Sequence, residues 1–391
     1  MKSNNPNPDA IKINCISKGM LHKKLSDNQK YYYKTGFKDQ YGDFENNTVK
    51  AECLAFDLGT ALGINVLKQK LKYSKDGVAY CKSRNFLLDG ESIIYFSQMG
   101  LFDYAMIKRK LPDFVEYFNT ILIFDFIINN RDRHLNNLCL IIDSFGNYRE
   151  PPIFDNGCSF YYDLNSRQLD YILNSDYGYK KYCLSKPYKL RHYNQIKILE
   201  GPLPELNFDI DVVNLVNKYF TGLRGEAIIN LINSRLEYLK DMYKDYEQHN
   251  YQTPKPEYYK PRQIIYNLTP KPDEYYLMYK DKRIGIIGYS DGNYYLQIIN
   301  GDLQWFEYPP IWSNYPVKDV FEPYNKSKLK SFINNKVVPE ERSSELLELL
   351  EMDSYNVWEI LKYTRGVTVD DYWWLAKPGD DYYKIHIREV L

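Results

Sequence analysis

Three oxygen-bearing side chains define the chemistry this chain could carry. Asp132 and Asn137 stand five residues apart in the polar run Asn129-Asn130-Arg131-Asp132-Arg133-His134-Leu135-Asn136-Asn137, and Asp155 opens the triplet Asp155-Asn156-Gly157. An apolar run from Ile121 precedes the polar cluster, and Leu138-Cys139-Leu140-Ile141-Ile142 follows it at once. The pattern predicts a helix, a tight polar loop, a strand, a turn at Gly146-Asn147 and a second strand ending in Asp155. One loop can present both Asp132 and Asn137, and hairpin pairing folds residues ~20 apart back beside each other, which brings Asp155 to the same place. Phosphoryl transfer needs such a set: an Asp to orient and deprotonate an acceptor hydroxyl, and an Asn and an Asp to hold Mg²⁺ on phosphates. Taken singly, each residue is more often part of a solvated turn; the combination points to the chemistry.

The pattern N-x-D-R-H-x-x-N, then a strand, then P-x-F-D-N-G, resembles the catalytic core of HipA-like serine/threonine kinases, a group that includes the CtkA-like proteins and is distantly similar to the phosphoinositide lipid kinases. The resemblance spans residues 11–250 and is strongest at 121–160. It implies Asp132 as the catalytic Asp, His134 as the loop histidine that supports the loop's shape, and Asn137 and Asp155 as metal ligands, with ATP and Mg²⁺ as cofactors. It also implies a protein substrate. Some members of the group are toxins paired with antitoxins, and some phosphorylate their own phosphate loop, which makes Ser17 the corresponding position here.

Other elements must position these groups. Residues 1–10 are Asn/Pro-rich and expected to be disordered. Residues 11–16 alternate like a strand, Ser17-Lys18-Gly19 breaks it, 25–29 reads as a turn, and 31–34 as a returning strand. In the context of the resemblance this hairpin is similar to a short phosphate loop, with Ser17 and Gly19 at the phosphates through backbone N–H groups. Lys34 is the candidate ATP lysine, in competition with Lys18, Lys23, Lys24 and Lys38. Glu52, early in a helix predicted over 49–62 and capped by Gly63, is its candidate partner, since a strand Lys paired with a helix Glu positions phosphates in kinases. Strands over 64–73, 79–88 and 92–96 lead toward a hinge, with 86–88 and 93–96 as the region for the adenine. The stripe Phe114, Tyr117, Phe118, Ile121, Leu122 and Phe124 predicts the helix that delivers the Asp132 loop; Asp125 within it reads either as a buried buttress or as an exposed residue. The Tyr-rich 158–202 stretch, with Arg191 and His192, stands where an activation or substrate segment would lie, and a helix over 225–247 carries a core stripe.

A length of 391 residues favours two domains. With 51 acidic and 51 basic side chains the net charge is zero, which argues against a general nucleic-acid binder and a polybasic membrane protein. The six cysteines form no C-x-x-C pair, so zinc and dithiol motifs are absent and a reducing cytoplasm fits. The start of the chain lacks a signal-peptide core, and no apolar run approaches the ~20 residues of a membrane helix. The expected fold class is α+β: a two-lobed protein-kinase-like domain over 1–250, with an N-lobe at 11–98 and a C-lobe at 99–250, a Pro-containing linker at 251–262, and a small α+β domain over 263–391. All five tryptophans fall in that last part, as core or as a partner-binding face. A β-meander over 263–308, a helix at 343–350 and a final hairpin around Pro378-Gly379-Asp380 are expected there. The functional expectation is an ATP/Mg²⁺-dependent Ser/Thr protein kinase. The alternatives are a lipid or small-molecule kinase, or a nucleotide-binding adaptor working through its C-terminal part.

Overall fold

Helices and antiparallel sheets share one α+β architecture. The computed structural model describes residues 5–14, 23–26, 30–36, 46–101, 103–174, 192–246, 267–312, 320 and 323–390. The first sheet contains β1 (Lys23–Leu25), β2 (Tyr31–Thr35), β3 (Gln69–Tyr73) and β4 (Ala79–Arg84) in the order β1-β2-β4-β3. The helix Asn47–Leu62 covers one face of this sheet, with Val49 and Cys53 against Ala79 and Cys81. The helix stops at Gly63, whose φ of +85° lets its N–H reach back to the carbonyls of Gly59 and Thr60 without a Cβ clash. The second sheet joins β5 (Ser92–Tyr95), β6 (Cys139–Ile142) and β7 (Tyr148–Arg149), and the third joins β8 (Tyr275–Tyr279), β9 (Lys282–Ser290), β10 (Asn293–Ile298) and β11 (Trp373–Ala376).

The helix Val115–Ile128 is buried on every side from Ile121 to Ile128, which is why its sequence is apolar all round rather than striped. It packs against the helices His192–Lys197 and Gly222–Asp245. All five tryptophans are buried. Trp373 Nε1 donates to the Glu307 carbonyl at 2.8 Å and Trp374 Nε1 to the Lys280 carbonyl at 2.7 Å, so the indoles fill core with their one polar atom satisfied.

Three local expectations are overturned. Residues 8–14 form a helix, Pro8–Asn14, not a disordered stretch running into a strand. Pro8 suits a first turn, Asn7 Oδ1 accepts the Asp9 and Ala10 N–H groups, and Ala10 and Ile11 are buried against the helices Ser344–Leu350 and Val357–Thr364. The strand beside β2 is therefore Lys23–Leu25. Next, β7 ends at Arg149 rather than running to Asp155. Pro151 and Pro152 have no N–H to give a ladder, and Ile153 instead bridges in parallel to Val66. Finally, no hairpin closes around Pro378-Gly379-Asp380. β11 pairs with β8, and the chain then enters a helical turn, Tyr382–Ile385, capped by Asp381, whose Oδ1 accepts the Tyr383 N–H. The expected linker at 251–262 and the Ser17-Lys18-Gly19 loop lie outside the described residues. Among the described residues no helix is long and apolar enough to cross a membrane.

A pH-dependent tie joins the helix Lys326–Asn334 to the rest. Lys328 Nζ donates to the carbonyls of Trp312 at 2.9 Å and Gln98 at 3.5 Å. Burial, and after it the neighbouring Lys110, pull this ammonium down to about 8. An unfolded lysine titrates near ~10.4, so between these values the unfolded chain binds more protons than the native one. Lys328 therefore makes stability rise with pH across that window. Denaturant melts in a pH series should show this rise flattened in Lys328→Met; parallel profiles for the two proteins would refute it.

Candidate active site

Lys34 and Tyr32 project from the same face of β2, with Ser83 of β4 opposite Tyr32 and Gln69 of β3 opposite Ser83. These side chains form one wall of an open cleft. Glu52, Asn136, Asn137, Phe154 and Asp155 line it further, and Leu67, Asn85, Phe86, Ile93, Tyr95 and Asp370 complete it. Of the regions expected to hold an adenine, Phe86, Ile93 and Tyr95 reach the cleft.

Lys34 Nζ makes ion pairs with both Glu52 Oε1 and Asp155 Oδ1. Burial alone would pull the ammonium down. The Asp155 and Glu52 carboxylates outweigh it, so the group stays above the ordinary lysine range and remains charged. The second oxygen of Glu52 accepts the Asn156 N–H at 3.1 Å, which ties the helix Asn47–Leu62 to the Asp155 loop as well as to β2. Gly157 allows that close approach: a Cβ there would stand 3.3 Å from the Thr48 carbonyl and 3.4 Å from Glu52 Oε1. Asp155 itself has φ +59°, a left-handed conformation that Asp tolerates better than most residues. Of the competing lysines, Lys18 and Lys38 lie outside the described residues, and Lys23 and Lys24 stand on β1.

The loop after the helix Val115–Ile128 is held by its own backbone. The Asp132 carbonyl accepts from the His134 N–H at 2.9 Å and from Asn137 Nδ2 at 3.0 Å, and the His134 carbonyl accepts the Asn137 N–H at 2.8 Å. His134 thus shapes the loop through its main chain. Asn137, its nitrogen turned inward, has its amide oxygen as the end available to the cleft. Asp132 and His134 are not among the residues lining the cleft. Asp132 is nonetheless tied to the cleft through Asn137, and with Asp155 it acts on one common neighbour: burial pushes the Cys158 thiol up to about 12, and the Asp132 and Asp155 carboxylates both add to that rise.

One residue that sequence reading left without a role fastens these loops together. Arg133 is buried and donates to Asp125 Oδ2 at 3.0 Å, to the Phe154 carbonyl at 2.6 Å and to Asn156 Oδ1 at 2.7 Å. Burial pushes the Asp125 carboxyl up, and the Arg133 guanidinium works against that rise. Asp125 is therefore the buried buttress, not an exposed residue. A charge in the middle of an apolar helix was the available signal, since such a group must have a buried partner. Asp370, from the C-terminal part of the chain, had no such signal. Ser17 and Gly19 fall outside the described residues.

Lys34, Glu52, Asn137 and Asp155 thus share one cleft, with Asp132 beside it. Among the described residues no three or more His, Cys, Asp and Glu side chains are grouped to hold a metal ion. The donors on offer are one amide oxygen and one carboxylate. That sparse all-oxygen set fits Mg²⁺, which is usually bound by one or two carboxylates together with substrate phosphates and water.

No protein-family model matches the chain, and no curated protein matches it. Among solved structures it is similar to that of a Helicobacter pylori proinflammatory kinase, CtkA, with a TM-score of 0.44 and 13% identity, over 60% of this chain and 94% of that one.

Proposed function

We propose that this chain is an ATP- and Mg²⁺-dependent phosphotransferase, a protein kinase acting on Ser and Thr hydroxyls. The observation that carries the reading is the lysine bridging two carboxylates in one cleft, Lys34 to Glu52 and Asp155, with Asn137 on the same lining. Lys34, charged and held from two sides, is the cation for phosphate oxygens. Glu52 fixes it on the helix side and, through the Asn156 N–H, sets the height of the Asp155 loop. Asn137 and Asp155 would hold Mg²⁺, which when bound supplies charge neutralisation on the phosphates. Asp132 takes the role of orienting the acceptor hydroxyl and receiving its proton. The protein contributes mostly positioning and charge. The Ser/Thr acceptor, a protein substrate and an antitoxin-like regulatory partner rest on the motif resemblance, as does self-phosphorylation at Ser17.

Labelled phosphate from ATP, followed into protein, lipid and small-molecule fractions with and without Mg²⁺, tests this. Transfer into Ser or Thr of the chain itself or of a lysate protein, abolished by chelating the metal, is expected. Label confined to lipid or metabolite would replace the acceptor class. ATP binding with no transfer to any acceptor would reduce the chain to a nucleotide-binding adaptor.

A further inference from the structure

The cleft holds a carboxylate that the phosphate chemistry does not use. Asp370 comes from the C-terminal part of the chain, is only 4% exposed and lines the cleft. Two hydrogen bonds fix it to the strand that forms this side: its backbone carbonyl accepts the Ile93 N–H at 2.6 Å, and its Oδ2 accepts the Tyr95 hydroxyl at 3.0 Å. Burial, and after it Asp370 itself, push the Tyr95 phenol well above its ordinary range, so it stays an O–H donor whose proton is committed. Asp370 Oδ1 has no hydrogen-bond donor among the described residues. Asp370 Oδ1 thus stands on the cleft wall as an acceptor open to a donor from whatever enters the cleft.

The surroundings indicate which ligand group that is. Phe86 and Phe154, ring centroids 5.7 Å apart, stand with Ile93 and Leu67 as apolar lining suited to a flat ring. Tyr32, two residues from Lys34 on the same strand face, and Tyr95 line the same cleft, so the carboxylate and the Lys34 ammonium belong to one site. We propose that Asp370 reads the base of the bound nucleotide, accepting a hydrogen bond from the exocyclic amino group of a 6-aminopurine. This rests on the nucleotide-binding reading above and adds to it a specificity residue supplied by the C-terminal part. It also gives that part a role in the cleft, because without Asp370 the base end has no charged acceptor.

The test compares ATP with the triphosphate of unsubstituted purine riboside, which lacks only the amino group, by titration calorimetry on the full chain. The wild type is expected to bind ATP about 10-fold or more tightly, the range of a hydrogen bond to a charged group. In Asp370→Ala, which keeps the backbone bond to Ile93, the two ligands should bind within about twofold of each other. Equal binding of both by the wild type overturns the inference and leaves the proposed function standing. A ratio unchanged in Asp370→Ala overturns it too. Failure of the wild type to bind either triphosphate removes both the inference and the function it rests on. Equal binding by the wild type overturns the inference whether or not Asp370→Ala folds, and Asp370→Asn, which keeps an oxygen for the Tyr95 hydroxyl but loses the charge, serves as the second variant and should likewise narrow the ratio.

Discussion

With Asp132 replaced by alanine, phosphoryl transfer is expected to fall by about 10²–10⁴-fold, the contribution of a positioned general base, while ATP affinity stays at the wild-type level. The separation follows from how the loop is built. Asp132 holds Asn137 and His134 through its backbone carbonyl, and its own N–H donates to Asn130 Oδ1 at 3.1 Å. None of these bonds involves its side chain, and the carboxylate makes no hydrogen bond among the described residues. Removing it should therefore leave the loop, the Lys34 ion pairs and the cleft in place. Steady-state kcat beside nucleotide titration checks this. A fall smaller than about 10-fold would remove Asp132 from the reaction, and a matching loss of ATP binding would make its role structural.

Replacing Arg133 by methionine is expected to lower stability by about 3–5 kcal/mol, because it leaves the Asp125 carboxylate buried without its cation. The paired change Asp125→Leu with Arg133→Met should recover most of that loss, as apolar replacements of buried ion pairs often do. Activity should stay lost in the pair. The Phe154 carbonyl and Asn156 Oδ1 would still lack their donor, and those two atoms flank Asp155 on either side. Urea unfolding and transfer assays on the three variants separate the two effects. Recovery of activity in the double variant would mean that the guanidinium only fills space.

The chemistry-bearing loop was legible because its signals are local. The abrupt change from apolar to polar at Asn129 marks the helix end, and the helix does stop there, with Asn129 at φ +54°. The helix carrying Glu52 and the strand carrying Lys34 were likewise readable from periodicity and from Gly63. Where local signals were short or shared between structures, the reading failed. Residues 11–14 alternate well enough for a strand, but the Asn7 cap and two helices more than three hundred residues away make them helical. The last strand looked set to pair with its sequence neighbour, yet β11 lies beside β8, where Trp373 and Trp374 can bury their rings.

The amino-acid order by itself determined residue types and spacing: an Asp and an Asn within one loop's reach, an Asp-Asn-Gly triplet, and a lysine and a glutamate on separate predicted elements. Those follow from turn chemistry and short-range periodicity, which act over a few residues. Only the tertiary structure decided that Lys34 meets Glu52 and Asp155 together, that Arg133 joins Asp125 to the Asp155 loop, and that Asp370 enters the same cleft. Buried charges choose partners by proximity in the folded core, where leaving one unpaired is costly, and that proximity is set by packing of distant segments rather than by any local pattern.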